Sequence, residues 1–437
     1  MILGGNASSD VKSMKQFFRK LNKIDTFSPY FFLPFILVLY FFTSMFDWHK
    51  FEQFNITVSI WPPVILAVIC YYIGVYVIDK LQWTIPSFGL SFLSKYVIHF
   101  IVFLTILGLG AYILMTFEGG FGISDESNRR NLNPKLNFFS QLLWFGILLL
   151  LSYKMILEKH MNWKKACKYG AIFAAVMFLF LLMAYRTPLI IMLFTGIIIF
   201  HYVVKRVKLT WFLTTLFVVG FAFSMFSFLR VIMEDQSLAF NNRDQPDIAL
   251  LEEEAREKLL TAEQKVNLTP QWIRAINAES VTSHIVLSTI IEYTQQEGYL
   301  HGQIHKVIFS TVLPGEQISP RMKVSEVVNS ISVEKGIIIT RENRTTTPTF
   351  IGQLFLDGGY LLVAIGFFLY GALISLIYNK VKQEGIRSFH SVAYAFIITL
   401  FTVSMHTGLL DLILVLMLGF VIIASSVIKM DKQTVRY

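Results

Sequence analysis

Long unbroken apolar stretches dominate the chain, with none of the strict alternation that marks half-buried strands. Runs near residues 30–46, 58–78, 96–117, 137–153 and 169–185 are each long enough to cross the roughly 30 Å hydrocarbon layer at about 1.5 Å per helical residue. Further runs lie near 187–204, 209–230, 350–378, 390–408 and 409–428, the last two parted by a polar break around His406, Thr407 and Asp411. The pattern predicts an all-α polytopic membrane protein with about ten transmembrane helices. One segment, from Val231 to Pro348, is too long and too polar to be a turn between spans, and reads as a mainly helical domain outside the membrane.

Cations orient the spans. Lys12, Lys15, Arg19, Lys20 and Lys23 crowd the N-terminal tail, which has no cleavable signal pattern. Counting alternate connections from there puts Lys80, Lys95, Lys154, Lys159, Lys164, Lys165 and Lys168 on the same side. Lys205, Arg206, Lys208, Lys380, Lys382, Arg387, Lys429, Lys432 and Arg436 join them, whereas the short opposite loops carry only Lys50, Arg129, Arg130, Lys135 and Arg186. The positive-inside rule then makes both termini cytoplasmic. The expected organisation is a cytoplasmic tail (1–29), seven helices (30–230), an extracytoplasmic loop domain (231–348), three helices (349–428) and a second cytoplasmic tail (429–437).

Composition agrees. Of 437 residues 54% are hydrophobic and only 15% charged, and 41 are Phe, more than a soluble core of this size could hide. The net charge of +9 points to membrane orientation, not to nucleic acid. Cys70 and Cys167 suggest neither a disulfide nor a metal site.

In the large loop, Leu250–Gln264 predicts a solvated helix supported by Glu252 with Arg256 and Glu254 with Lys258. Thr269 and Pro270 predict the start of a second helix running to about Gln296. On it Arg274, Asn277, His284, Ser288 and Glu292 share an arc, either as a wet face or as the lining of a cavity for a polar ligand. The stretch from Gly298 through His301, Gly302 and His305 to Arg321 is expected to be irregular backbone over the membrane surface. His301 and His305 have no third partner with metal-ligand spacing. The return segment Thr345–Gly359 should dip into the interface before a continuous helix begins near Tyr360, leaving Asp357 at the outer boundary as a cap or a site residue.

Two more arginines mark that boundary. Arg186 stands in AYRTPL, where Thr187 can cap and Pro188 can open the next span, so a guanidinium and a helix N-terminus meet on the outer side. Arg230 ends another span just before Glu234 and Asp235. Several arginines beside helix N-termini suit a pyrophosphate, and a lipid-linked one is the substrate available at that depth. The connecting segments contain no P-loop, GxGxxG or kinase motif for a nucleotide.

AYRTPL around Arg186, GQIHKVIFSTVLPG from Gly302 to Gly315, and TPTFIGQLFLDGGYLLVAIGFFLYG from Thr347 to Gly371 carry a family likeness. Together with the plan of many spans and one long outer loop, the chain resembles the Wzy-type oligosaccharide repeat-unit polymerases of O-antigen and capsule assembly. The resemblance implies a GT-C-related, metal-independent glycosyltransferase without cofactor. It would move a growing glycan from undecaprenyl pyrophosphate to the non-reducing end of a new lipid-linked repeat unit, with a chain-length regulator and a flippase as partners. Arg186 matches the family's arginine at the start of a span, and Arg321 and Arg344 occupy comparable loop regions; Arg230 and Arg274 are assigned from physics alone. These five are the candidate pyrophosphate ligands, and His284, Glu292 or Asp357 is the candidate base. An O-antigen-ligase-like transferase would share donor, loop and arginines. A metal-dependent transferase would want an acidic pair in the first outer loop, where Asp47 and Glu52 stand without a DxD motif. A transporter of polysaccharide or lipid-linked oligosaccharide would instead show inverted hydropathy repeats.

Overall fold

The computed structural model describes residues 25–45, 58–86, 93–119, 133–158, 163–183, 185–215, 217–218, 271–310, 320–334 and 346–428. These residues form helices and short connections, with no strand among them. In chain order the helices are α1 (Phe32–Ser44), α2 (Trp61–Leu81), α3 (Ser94–Gly119), α4 (Pro134–Leu157), α5 (Trp163–Leu182) and α6 (Arg186–Val203). After them come α7 (Gln271–Gln296), α8 (Gln303–Ser310), α9 (Pro320–Glu334), α10 (Thr349–Glu384), α11 (Phe389–Thr407) and α12 (Leu412–Val427).

A helix stands at every predicted span, although of the seventh only 209–215 and 217–218 are described. Five helices, α2, α3, α4, α10 and α11, are long and apolar enough to cross a membrane, and α1, α5, α6 and α12 contain shorter apolar helices. Their outward side chains are apolar too, with Phe117 84% and Ile106 64% exposed. Such a surface suits lipid tails and not water.

α11 is the central helix, buried almost throughout, with α10, α6, α12, α1 and α4 around it. Two pairs pack more closely than the rest, α2 with α10 and α3 with α4, and glycines explain why. A Cβ on Gly74 would lie 2.1 Å from the Phe368 carbonyl oxygen, and one on Gly371 would lie 2.1 Å from that of Tyr71. In lipid, where tails solvate apolar faces as well as a neighbouring helix does, close backbone approach of this kind is what holds helices together. Gly371→Leu is therefore expected to cost more than the ~1–3 kcal/mol of ordinary overpacking, because backbone and not a side chain must move. A lowered melting temperature of the purified protein, with a smaller membrane yield, checks this.

α7 lies against α1, α10 and α9, and α8 rests on α9 and α10. The expected irregular stretch before Arg321 is thus corrected in part: 303–310 is helix, and a helix also starts at Pro320. Both form because their apolar positions find a surface, Ile304 and Ile308 on α8, and Val324, Val327, Val328 and Ile331 on α9. Leu250–Gln264 lies outside the described residues.

Candidate active site

α10 is broken, and the break builds the site. Gly358 and Gly359 leave helical geometry, Gly359 with φ 61° and ψ −149°, a conformation open only to glycine. A Cβ there would also stand 2.6 Å from the Tyr299 ring. The interruption frees carbonyls of the first half-helix, and Leu300 N–H donates to Leu356 O at 2.9 Å. The helix therefore starts at Thr349, earlier than the expected onset near Tyr360, and the Gly358–Gly359 pair divides it.

Asp357 is the last residue of that half-helix and is 1% exposed. A carboxylate at a helix C-terminus opposes the local dipole, so its partners must come from elsewhere. Backbone N–H groups of Ile304 and His305 donate to it at 3.2 and 3.1 Å, and His305 Nδ1 makes a short contact with Oδ2. Asp357 is thus both the cap of α8 and the orienting partner of an imidazole. The His305 side chain is 38% exposed, so the ring is only partly covered. Its Nε2 faces Gln353 Nε2 at 3.4 Å. Gln353 is itself fixed at the gap between α11 and α12, accepting from Leu409 N–H at 2.7 Å and donating to Leu409 O at 3.3 Å.

Asp411, at the far side of that gap, accepts from Arg321 Nη2 at 2.6 Å. The same guanidinium has a buried Nε that finds no hydrogen-bond partner among the described residues, and a donor of this kind costs about 1–3 kcal/mol when left dry. Thr349, fully buried, holds φ 64°, strained for a β-branched residue. Its hydroxyl accepts from Gly352 N–H at 3.0 Å.

The seam continues to α1 and α7. Tyr40 OH stands 2.8 Å from His406 Nδ1 and 2.7 Å from Ser283 Oγ. Thr43 donates to Ser280 at 3.2 Å, and Ser44 meets His284 Nδ1 at 2.8 Å. Of the polar arc of α7, His284 and Ser288 are buried, together with the neighbouring Ser280, Ser283 and Thr289, and Glu292 is half-buried, while the side chains of Arg274 and Asn277 lie outside the described residues. His284 lies on a helix that is not among the apolar spans, and burial pushes its pKa down to about 4. With the folded value below the ordinary 6.5, the unfolded chain takes up the proton first. The associated stability is complete above pH ~6.5 and falls by up to about 3 kcal/mol as pH drops toward ~4. Melting temperatures of the purified protein from neutral to acid pH should fall more steeply than those of His284→Gln; equal slopes would contradict this.

Of the expected site residues, His284, Asp357 and Arg321 are brought into this one seam. Glu292 is half-buried and stands further along α7, about 12 Å from His284 by helical rise. Arg186 is the first residue of α6, with Tyr185 as the cap residue and no side-chain cap bond. Thr187 is thus not the cap, and Pro188 sits in the first turn, where its missing N–H has no intrahelical partner to lose. The backbone of Arg274 is helical in α7, but its side chain and that of Arg186 lie outside the described residues, as do Arg230 and Arg344 entirely. His305, Gln353, His406 and Tyr40 were not among the expected site residues. Among the described residues, no three His, Cys, Asp or Glu side chains converge as metal ligands would.

No curated protein and no solved structure matches the chain. The model of one protein family, described as "Putative O-antigen polymerase", matches residues 25–250 and 259–418. With most of its length matched in this way, the chain belongs to the Wzy-type O-antigen polymerase family.

Proposed function

We propose that the protein polymerises undecaprenyl-pyrophosphate-linked oligosaccharide repeat units on the outer face of the bacterial cytoplasmic membrane. The observation that carries this reading is the His305–Asp357 pair at the break of α10, with the Arg321–Asp411 pair at the gap between α11 and α12, in a chain of this family. In this reading the membrane domain has ten spans in a GT-C-related arrangement, both termini are cytoplasmic, and residues 231–348 form the outer loop domain. A chain-length regulator and a flippase act with it.

Asp357 holds the Nδ1–H of His305, which leaves Nε2 as the acceptor, facing the Gln353 amide that the incoming hydroxyl must displace. The acceptor sugar hydroxyl gives its proton to Nε2 while its oxygen bonds to the anomeric carbon of the growing chain. The bond from that carbon to the pyrophosphate oxygen breaks, and undecaprenyl pyrophosphate departs with the electron pair. Arg321, with Arg186 and the loop arginines Arg230, Arg274 and Arg344, stabilises the charge that develops on it. No step needs a nucleotide or a metal ion. His284 belongs to the wall of the seam, and Glu292 stands further along α7.

Direction of growth tests the reading. In a pulse of labelled repeat units followed by unlabelled ones, label should first occupy the reducing, lipid-linked end and then move outward. Label that stays at the lipid-linked end would exclude transfer of the growing chain.

A further inference from the structure

A large cleft lies at the other end of the bundle, the end that the cation pattern assigns to the cytoplasm. There α4, α5 and α6 diverge around a volume of about 610 Å³ walled by Leu148, Leu151, Met155, Phe173, Ile197 and Phe200. Lys205, Arg206 and Lys208 stand at its mouth with Trp211 and Tyr169. This falls within the ~300–1,000 Å³ of small-molecule sites. We propose that the cleft binds one acidic phospholipid of the cytoplasmic leaflet, an acyl chain between the three helices and the phosphate against Lys205, Arg206 and Lys208.

Cations after a helix C-terminus serve the helix dipole and the topology in any membrane protein. Three observations take these further. First, none of the three forms an ion pair among the described residues, because carboxylates at that end are engaged elsewhere: Glu158 with Lys165, Asp79 with Lys382, Glu384 with Lys380, and Asp25 with His201. Second, the loop that carries them is held in place before any ligand arrives. Val207 N–H donates to His201 Nδ1 at 3.0 Å, and Thr26 Oγ1 donates to Val207 O at 3.5 Å. His201 Nε2 in turn meets Asp25 at 3.2 Å, and Tyr202 and Tyr378 each donate to Asp25 at 2.8 Å. Third, the charges border apolar space and not a polar pocket, and Trp211, 69% exposed, has the amphipathic ring favoured at the headgroup level. A neutral lipid fills the apolar part equally well, but only an anionic headgroup answers the three cations.

Native mass spectrometry of the full-length protein, with phosphatidylglycerol and phosphatidylcholine of identical chains in competition, tests this. Retention of phosphatidylglycerol should exceed that of phosphatidylcholine by at least about tenfold, given roughly fivefold per basic residue near an anionic headgroup. The preference should vanish in Lys205→Gln/Arg206→Gln/Lys208→Gln. A Cβ at Gly170 meets nothing within 4 Å, so Gly170→Phe can fill the cleft without moving the backbone and should reduce phosphatidylglycerol retention with the cations intact. Equal retention of the two lipids, a preference that survives both variants, or displacement of the lipid by inorganic phosphate alone would overturn the proposal.

Discussion

His305→Ala is expected to cut polymer formation by about 10²–10⁴-fold, the usual contribution of a positioned general base, while the amount of protein in the membrane stays normal. The two halves of this expectation have separate causes. The imidazole is 38% exposed, so its removal leaves little packing undone. The catalytic loss follows from geometry, because a buried carboxylate fixes Nδ1 and turns Nε2 toward the gap bounded by Gln353. Asp357→Ala makes the informative contrast. It removes the orienting group and also strands the N–H groups of Ile304 and His305, each at about 1–3 kcal/mol. That variant should lose activity and stability together, and limited proteolysis should open it near α8. If His305→Ala made long polymer at the normal rate, the imidazole would have no part in proton transfer.

Arginine variants should fail differently. Removing a group that stabilises developing charge on the leaving pyrophosphate costs about 10²–10³ in turnover at an oxyanion-type site. Arg321→Ala is expected to fall in that range. Arg321→Lys should recover little, since an ammonium cannot both hold Asp411 and offer the second donor, an Nε that has no partner among the described residues. Arg186→Ala should abolish polymer at unchanged protein level. Accumulated single lipid-linked repeat units, seen by thin-layer chromatography of lipid extracts, are the expected readout for both; a normal long-chain profile from Arg186→Ala would remove that residue from the pyrophosphate site.

Much of the membrane part is legible in the sequence, because a span is a local property: twenty or so apolar residues suffice, whatever they touch. The polar break around His406 and Asp411 is legible for the same reason, whereas the break at Gly358 and Gly359 falls where a continuous helix is expected to begin. α8 and α9 were not read as helices, although Ile304, Val307 and Ile308 fall at i, i+3 and i+4, and Pro320 precedes Val324, Val327, Val328 and Ile331 at helical spacing. The abundance of Gly and Pro nearby outweighed a pattern that was present. The site itself was less legible, since it consists of pairs distant along the chain. Asp357 meets His305 across 52 positions, Arg321 meets Asp411 across 90, and Tyr40 meets His406 across 366. Residue chemistry singled out Asp357 and Arg321 one at a time, but no periodicity links them to their partners, and His305 was weighed only as a metal ligand.

The most direct measurement incubates the purified full-length protein in liposomes with synthetic lipid-pyrophosphate repeat units, without nucleotide and with divalent metal chelated, and resolves the products by gel. The account predicts a ladder spaced by one repeat unit, lost in His305→Ala and Arg321→Ala. It is contradicted by a single transfer to an added lipid-sugar acceptor with no ladder, by activity that appears only when metal is restored, or by intact repeat units crossing the bilayer with no new glycosidic bond.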